Sequence, residues 1–466
     1  MKVFTPLSNR FKPILEFVIG NYNSVVHLEK WELVVRFPED DQGLVIWDYE
    51  ENYGKYSSQF EVLIFIPLSK EFELMINSDS SYNRLNAQNY RFREDEFLSL
   101  FPVDRNSVHA AAVKSEHVIF NIDIIAQQFF LLSGYDEIHS PKDLLGRTTY
   151  KGSLIEYFKL WSRALADEGY LLLIHAVHSI GIPESIKLHD GYVWKLSLTH
   201  DIDHLKKYTL GFLLRNLLSE KIRNGKSILS VVSGHFKSLF SIDPYTQSIY
   251  ELLAIAEKKK IKPIFFLRSG KSDKRDSQID YKSDVVRHLE KLSETGKISV
   301  GIHPSIKSSS DLHQMENDWN EFAKYFKNHS SIVRQHFLMY DVKQTPGIHE
   351  SIKYETDFTL GFHDHEGFRR STVRPFFAFD FQSWKITGVS CVPLIVMDVT
   401  FQDYHRMSLG ESINRTKILL DEVSKYQGHV SLLIHNSYSQ NEDSEWLGWY
   451  QDIIDYAQSK YGWLGR

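Results

Sequence analysis

The sequence predicts an α/β fold: a (β/α) barrel over residues 193–466, preceded by a smaller N-terminal α/β domain over residues 1–190. Two observations predict it. From residue 194 onward short, nearly continuous apolar runs ("WKLSLTHD", "KPIFFLRS", "ISVGIHPS", "SIVRQHFL", "TDFTLGFH") alternate with helical stretches. Runs of this kind are parallel strands covered on both faces, and their regular recurrence favours a closed barrel. Before residue 190 the rhythm is different: "KWELVVRF", "GLVIWDY" and "FEVLIFIP" read as strands from their β-branched and aromatic content. "NIDIIAQQFFLLSGYDEI" (121–138) and "SLIEYFKLWSRALADEGYLL" (153–172) each place apolar residues at helical spacing. The Gly- and Pro-containing polar stretch "GIPESIKLHDGY" (181–192) separates the two regions.

Composition narrows the function classes. With 466 residues and 42% hydrophobic residues the chain is long and apolar enough for two cores. Lys plus Arg (54) nearly balances Asp plus Glu (60), and a formal charge of −6 offers no general attraction to phosphate backbones, so nucleic acid is not expected as a partner. Cys391 is the single cysteine, which excludes an intrachain disulfide framework and thiolate-rich zinc sites. A metal, if used, needs His and carboxylate ligands. No stretch resembles a membrane span, and the N-terminal "MKVFTPLSNRFKPILEFVIGNYNSVV" reads as an amphipathic helix, so a cytoplasmic protein is expected. The aromatic content of 14% is read mainly as core filling, and it is also compatible with sugar stacking.

Four polar clusters fall at successive strand ends: "THDIDH" (199–204), "GIHPS" (301–305), "RQHF" (334–337) and "LLIHN" (432–436). A parallel barrel brings strand C-termini to one face. Asp and His converging there form the ligand set of zinc or another divalent first-row ion, and three protein ligands leave a position for water. Each cluster has a plainer reading: Asp201 or Asp203 as a helix cap, His303 as a turn residue before Pro304, Arg334 as a buried ion-pair partner, His435 as a core histidine.

These residues, in this order, resemble the polysaccharide deacetylase (NodB-homology, carbohydrate esterase family 4) superfamily, in a branch with an uncharacterised N-terminal domain. "FNIDIIAQQFFLLSGYDEI" is similar to the hallmark helix of that domain, so the resemblance covers nearly the whole chain. It implies a distorted barrel of the NodB-homology type. It implies Asp201 as catalytic base and Asp203 as metal ligand, with Ile202 inserted between normally adjacent acids, which leaves the two roles exchangeable. His303 matches the first histidine ligand, and Lys307 stands where the second is expected. A protonated lysine cannot ligate a metal. His336 is therefore the candidate third ligand, with His200 and His204 behind it. Arg334 matches the arginine that orients the base, and His435 the histidine that protonates the leaving group. "TDFTLGFHDHEGFRRSTVRPF" (356–376) resembles a substrate-shaping region. Asp357, Arg369 and Arg374, together with His200, are candidate substrate contacts, and Arg370 belongs to the same arginine group. His363 and His365 flank Asp364 at metal-like spacing, but the loop aligns with the substrate-shaping region and no second metal is expected there.

The implied activity is zinc-dependent hydrolysis of an acetamide on an amino sugar, in a surface polysaccharide or its precursor. Lys307 keeps a second reading open: a catalytically inert relative that binds carbohydrate or acts as a scaffold.

Overall fold

The structure is a computed structural model, and it describes residues 2–7, 10–25, 32–34, 44–60, 62–78, 85–92, 95–114, 116–181, 194–208, 242–326, 331–437, 445–460 and 463. The expected boundary stretch lies almost wholly outside these residues.

The N-terminal part holds a six-stranded sheet. Its strands are β1 (Lys2–Phe4), β2 (Glu32–Leu33), β3 (Leu44–Asp48), β4 (Leu63–Pro67), β7 (Ala111–Lys114) and β8 (His117–Phe120), ordered β2-β1-β3-β4-β8-β7. The run "LIFIP" is buried throughout and forms the central strand β4, as an uninterrupted apolar run requires. A separate antiparallel ribbon pairs β5 (Gln88–Phe92) with β6 (Asp95–Ser99).

The helix Ile124–Ser133 is buried on every side, so it is a core helix rather than a surface one. Its N-cap, Asp123, accepts from Ala126 N (2.9 Å), Ser69 N (2.8 Å) and Trp47 Nε1 (3.1 Å), tying helix, sheet and loop together. Replacing Asp123 by Ala leaves three buried donors without a partner and is expected to destabilise the chain by about 2 kcal/mol or more, measured by urea unfolding. The second predicted helix is divided: Leu154–Tyr157 and Leu165–Ser179 are separate, and Lys159 between them has φ 56°. A lysine in the left-handed region breaks the α-helical path.

The larger sheet has nine strands: β9 (Lys195–Ile202), β10 (Ile264–Arg268), β11 (Ser299–His303), β12 (Ile332–Val333), β13 (Thr356–Asp357), β14 (Phe376–Asp380), β15 (Lys385–Cys391), β16 (Leu394–Met397) and β17 (His429–Leu433). The order is β14-β15-β13-β12-β11-β10-β9-β17-β16, parallel throughout except for the antiparallel β14–β15 pair. Helices Pro244–Lys259, Asp284–Glu294, Leu312–Ala323 and Thr345–Ile352 separate β9 through β13. The expected strand "TDFTLGFH" shrinks to Thr356–Asp357. The irregular chain after it closes the barrel: Leu394 N donates to Leu360 O (3.0 Å) and Gly367 N to Ile395 O (2.8 Å).

The two sheets share a core. Phe379 on β14 packs edge-on against Phe17 (5.3 Å) and Phe129 (5.1 Å) of the N-terminal part. Asn21 caps the same strand, accepting from Phe377 N at 2.6 Å.

Candidate active site and metal centre

Strand periodicity decides which face of β9 carries chemistry. Asp201 and Asp203 are two residues apart and face the barrel mouth, while His200 and Ile202 alternate to the other face. Ile202 is fully buried in the core, so the inserted residue is what lets both acids point the same way. His200 is buried against Phe265 and Tyr450. Its Nδ1–H donates to Ile434 O (3.2 Å) and its Nε2 accepts from Tyr450 Oη (3.2 Å). Burial pushes its pKa down to about 3, and it stays neutral.

At the mouth, Asp203, His303 and His336 each bring a ligand atom within 4.8 Å of the other two. Asp203 Oδ1 lies 3.4 Å from His303 Nε2 and 3.6 Å from His336 Nε2. Both rings have their other nitrogen committed: His303 Nδ1–H donates to Arg334 O (2.6 Å) and His336 Nδ1–H to Asp276 (3.0 Å). This leaves two bare Nε2 atoms and a buried Asp203 Oδ1 that makes no hydrogen bond. Such a group fits a divalent ion: three N/O donors converge, and each histidine is fixed in the ligating tautomer by a partner behind it. Burial pushes His336 down to about 4 despite Asp276, so it is neutral, as ligation demands. Replacing Asp276 by Asn is expected to weaken metal binding roughly 10- to 100-fold, read by competition with a chromogenic chelator.

The remaining groups are a base and an acid. Asp201 is buried, and its Oδ1 accepts from Arg334 Nη1 at 3.3 Å. Arg334 also donates to Thr199 Oγ1 (2.7 Å) and Phe358 O (3.1 Å), which fixes the guanidinium. Asp201 Oδ2 lies 3.6 Å from His303 Nε2 and 4.0 Å from His435 Nε2. His435 Nδ1–H donates to Asp398 Oδ1 (2.8 Å), and the other Asp398 oxygen accepts the His435 backbone N–H (2.7 Å). Burial opposes a charged ring, but Asp398 outweighs it and raises the His435 pKa to about 9. A protonated imidazole therefore lies 4.0 Å from the Asp201 carboxylate, beside the Asp203–His303–His336 group.

These side chains line a cavity of about 550 Å³. Leu338, Met397 and Leu433 form an apolar patch in its wall. The backbone turns sharply after His336, with Phe337 (φ 58°) and Leu338 (φ 52°) in the left-handed region. Such conformations persist for bulky residues only where the surroundings hold them. Arg147 of the N-terminal part holds this turn. It pairs with Asp143 (2.8 Å), donates to Phe337 O (3.1 Å) and lines the cavity itself.

Three comparisons bear on this architecture. Residues 44–181 match a family model described as "Family of unknown function (DUF7033)". No curated protein matches the chain. Among solved structures the chain is similar to Agd3, a novel carbohydrate deacetylase (10% identity, 97% of this chain and 83% of that one, TM-score 0.34). It is also similar to the catalytic domain of a peptidoglycan N-acetylglucosamine deacetylase from Eubacterium rectale ATCC 33656 (14%, 58% and 88%, TM-score 0.30). A third is Puue allantoinase (12%, 60% and 89%, TM-score 0.41). The likeness is one of fold.

Several expected substrate contacts lie elsewhere. Arg369 is buried and bidentate on Glu137 (2.7 Å to each oxygen), and Arg370 pairs with the same carboxylate at 2.5 Å. Arg374 pairs with buried Asp167 at 2.9 Å. These arginines fasten the N-terminal part to the barrel, because a buried guanidinium needs a carboxylate more than it needs a ligand. Asp357 is buried beside His349 (3.2 Å) and accepts from Thr359 N (2.7 Å), outside the cavity. Lys307 is exposed on a short 3₁₀ turn, and His336 supplies the third donor from the next strand. His204 sits at the exposed rim. Asp276, Asp398 and Arg147 were not expected. Asp398 carried a signal, since it ends the apolar run "CVPLIVM" as the other acids end theirs.

Proposed function

We propose that this chain is a metal-dependent hydrolase that removes N-acetyl groups from an amino sugar of a surface polysaccharide or its precursor. The observation that carries the reading is the placement of Asp201 and His435 next to the Asp203–His303–His336 group, with Asp201 Oδ2 3.6 Å from His303 Nε2 and 4.0 Å from His435 Nε2. A divalent ion held by those three side chains supplies Lewis acidity toward an acyl carbonyl and lowers the pKa of water. Asp201 is placed to take a proton from the attacking water, with Arg334 orienting the carboxylate through a charge-assisted contact. His435 then gives its Nε2 proton to the departing amine, and Asp398 holds the ring so that this nitrogen faces the cavity. Water and amide thus become carboxylic acid and amine, with one residue for each proton transfer, and exchange with solvent returns Asp201 and His435 to their starting states. The patch of Leu338, Met397 and Leu433 suits a small methyl group, which favours acetyl over a larger acyl chain.

The inert reading rests on Lys307, and the convergence of His336 with Asp203 and His303 supports the hydrolase reading instead. Acetate release from N-acetylated chitooligosaccharides by zinc-loaded protein, set beside acetylated sugar esters, tests the proposal. The expected result is metal-dependent release from the amide substrates, abolished by a chelator and restored by zinc. Stoichiometric metal with no acetate from either substrate class would overturn it.

A further inference from the structure

A second group of metal-binding side chains lies behind the cavity wall. His365, Glu366 and His405 each bring one ligand atom within 4.8 Å of the other two. The Glu366 side chain is fully buried, and its Oε1 is held by Arg415, whose guanidinium lies 4.4 Å over the Trp161 ring. Among the described residues its Oε2 makes no hydrogen bond, and it lies 3.4 Å from His405 Nε2, which makes none with them either. A buried carboxylate oxygen and a bare imidazole nitrogen facing one another at that distance call for a shared cation.

The third side chain is aimed by its surroundings. The His365 ring stacks on Tyr150 of the N-terminal part, with centroids 3.6 Å apart and planes 17° from parallel. Its Nδ1–H donates to Glu366 O at 2.5 Å. It stands at 82° to the His405 ring, with centroids 5.2 Å apart. The loop carrying His365 and Glu366 is docked on the N-terminal part. Gly367 has φ 116°, and a Cβ there would lie 2.2 Å from Trp161 O, so only glycine permits the approach.

We infer that His365, Glu366 and His405 form a second site for a zinc-like divalent cation, distinct from the Asp203–His303–His336 group. Two imidazoles and a carboxylate are a borderline donor set that suits zinc or cobalt. Arg415 on the other carboxylate oxygen is the kind of outer partner that orients a monodentate ligand. The site ties the loop after β13 to the π-helical turn Thr400–His405. Those two segments also carry His363 and Tyr404, whose rings meet at 5.4 Å in the cavity wall. An ion here braces that wall and takes no part in proton transfer.

The full-length chain, stripped with chelator and dialysed against Co²⁺ alone, gives the test by metal content per chain. Wild type is expected to hold two ions. Asp203→Asn, His405→Gln and Glu366→Gln are each expected to hold one, and Asp203→Asn with His405→Gln none. The rise in unfolding temperature on adding Co²⁺ should persist in Asp203→Asn and vanish in the double variant. One ion in wild type that Asp203→Asn keeps and His405→Gln loses supports this site and removes the first. One ion that Asp203→Asn loses overturns it. Two ions retained in both His405→Gln and Glu366→Gln overturn it equally. Because these two substitutions lie on separate segments, the measurement stays readable if one variant fails to fold.

Discussion

Replacing Asp201 by Asn is expected to lower kcat for acetate release by about 10²–10⁴-fold while metal content stays at the wild-type level. Asp203→Asn should lose both. The division follows from what each carboxylate touches. Asp203 Oδ1 sits between two bare imidazole nitrogens and makes no hydrogen bond of its own. Asp201 is instead turned toward the Arg334 guanidinium, with its second oxygen reaching the space between His303 and His435. Asparagine at 201 keeps the shape and the contact with Arg334 but cannot take a proton. Metal content by mass spectrometry, beside steady-state rates, checks the pair. Equal metal loss in the two variants would show that the roles are shared or exchanged.

The second large effect belongs to the His435–Asp398 pair and is read as a pH profile. With its pKa near 9, His435 carries the donor proton at all lower pH values, so kcat/KM should hold to that point and fall above it. Asp398→Asn removes the largest interaction that opposes burial, leaving only the pull of Asp203 and Asp201, and the ring's pKa falls. The alkaline limb should move to lower pH accordingly, so that kcat/KM at pH 8 falls below that of wild type. His435→Ala should lose rate at every pH. An alkaline limb that stays in place in Asp398→Asn would remove His435 as the acid. Stability carries the same sign. Because the folded pKa lies above the unfolded value, the pair's contribution is fully present below about pH 6.5. It is lost as pH rises through about 9, and urea unfolding of wild type and Asp398→Asn at pH 6 and pH 10 reads the difference.

Much of the candidate site was legible because most of its side chains end a strand or closely follow one, and in a parallel barrel every such end opens on one face. Asp201, Asp203, His303, Arg334, His336 and His435 were found that way, and they surround one cavity or stand directly behind it. His200 was misplaced although the signal was present: one residue from Asp201 in a strand means the opposite face. Arg369 and Arg374 were misplaced for a different reason. An arginine written in a loop gives no sign of whether its partner is a ligand or an acid 200 residues away, and here Glu137 and Asp167 take that place.

By itself, the sequence determined the α/β class, the alternation of strand and helix, and, with a single cysteine, that neither an intrachain disulfide nor a thiolate-rich zinc site can form. Those properties are local, set by side-chain periodicity and composition over a few turns or strands. Tertiary structure alone decided that His336 lies beside Asp203 and His303, that Asp276 and Asp398 fix their imidazoles, and that Arg147 reaches across from the N-terminal part. Each of these depends on which strand lies beside which and how the sheet closes, and a chain's local preferences do not encode distances between residues far apart along it.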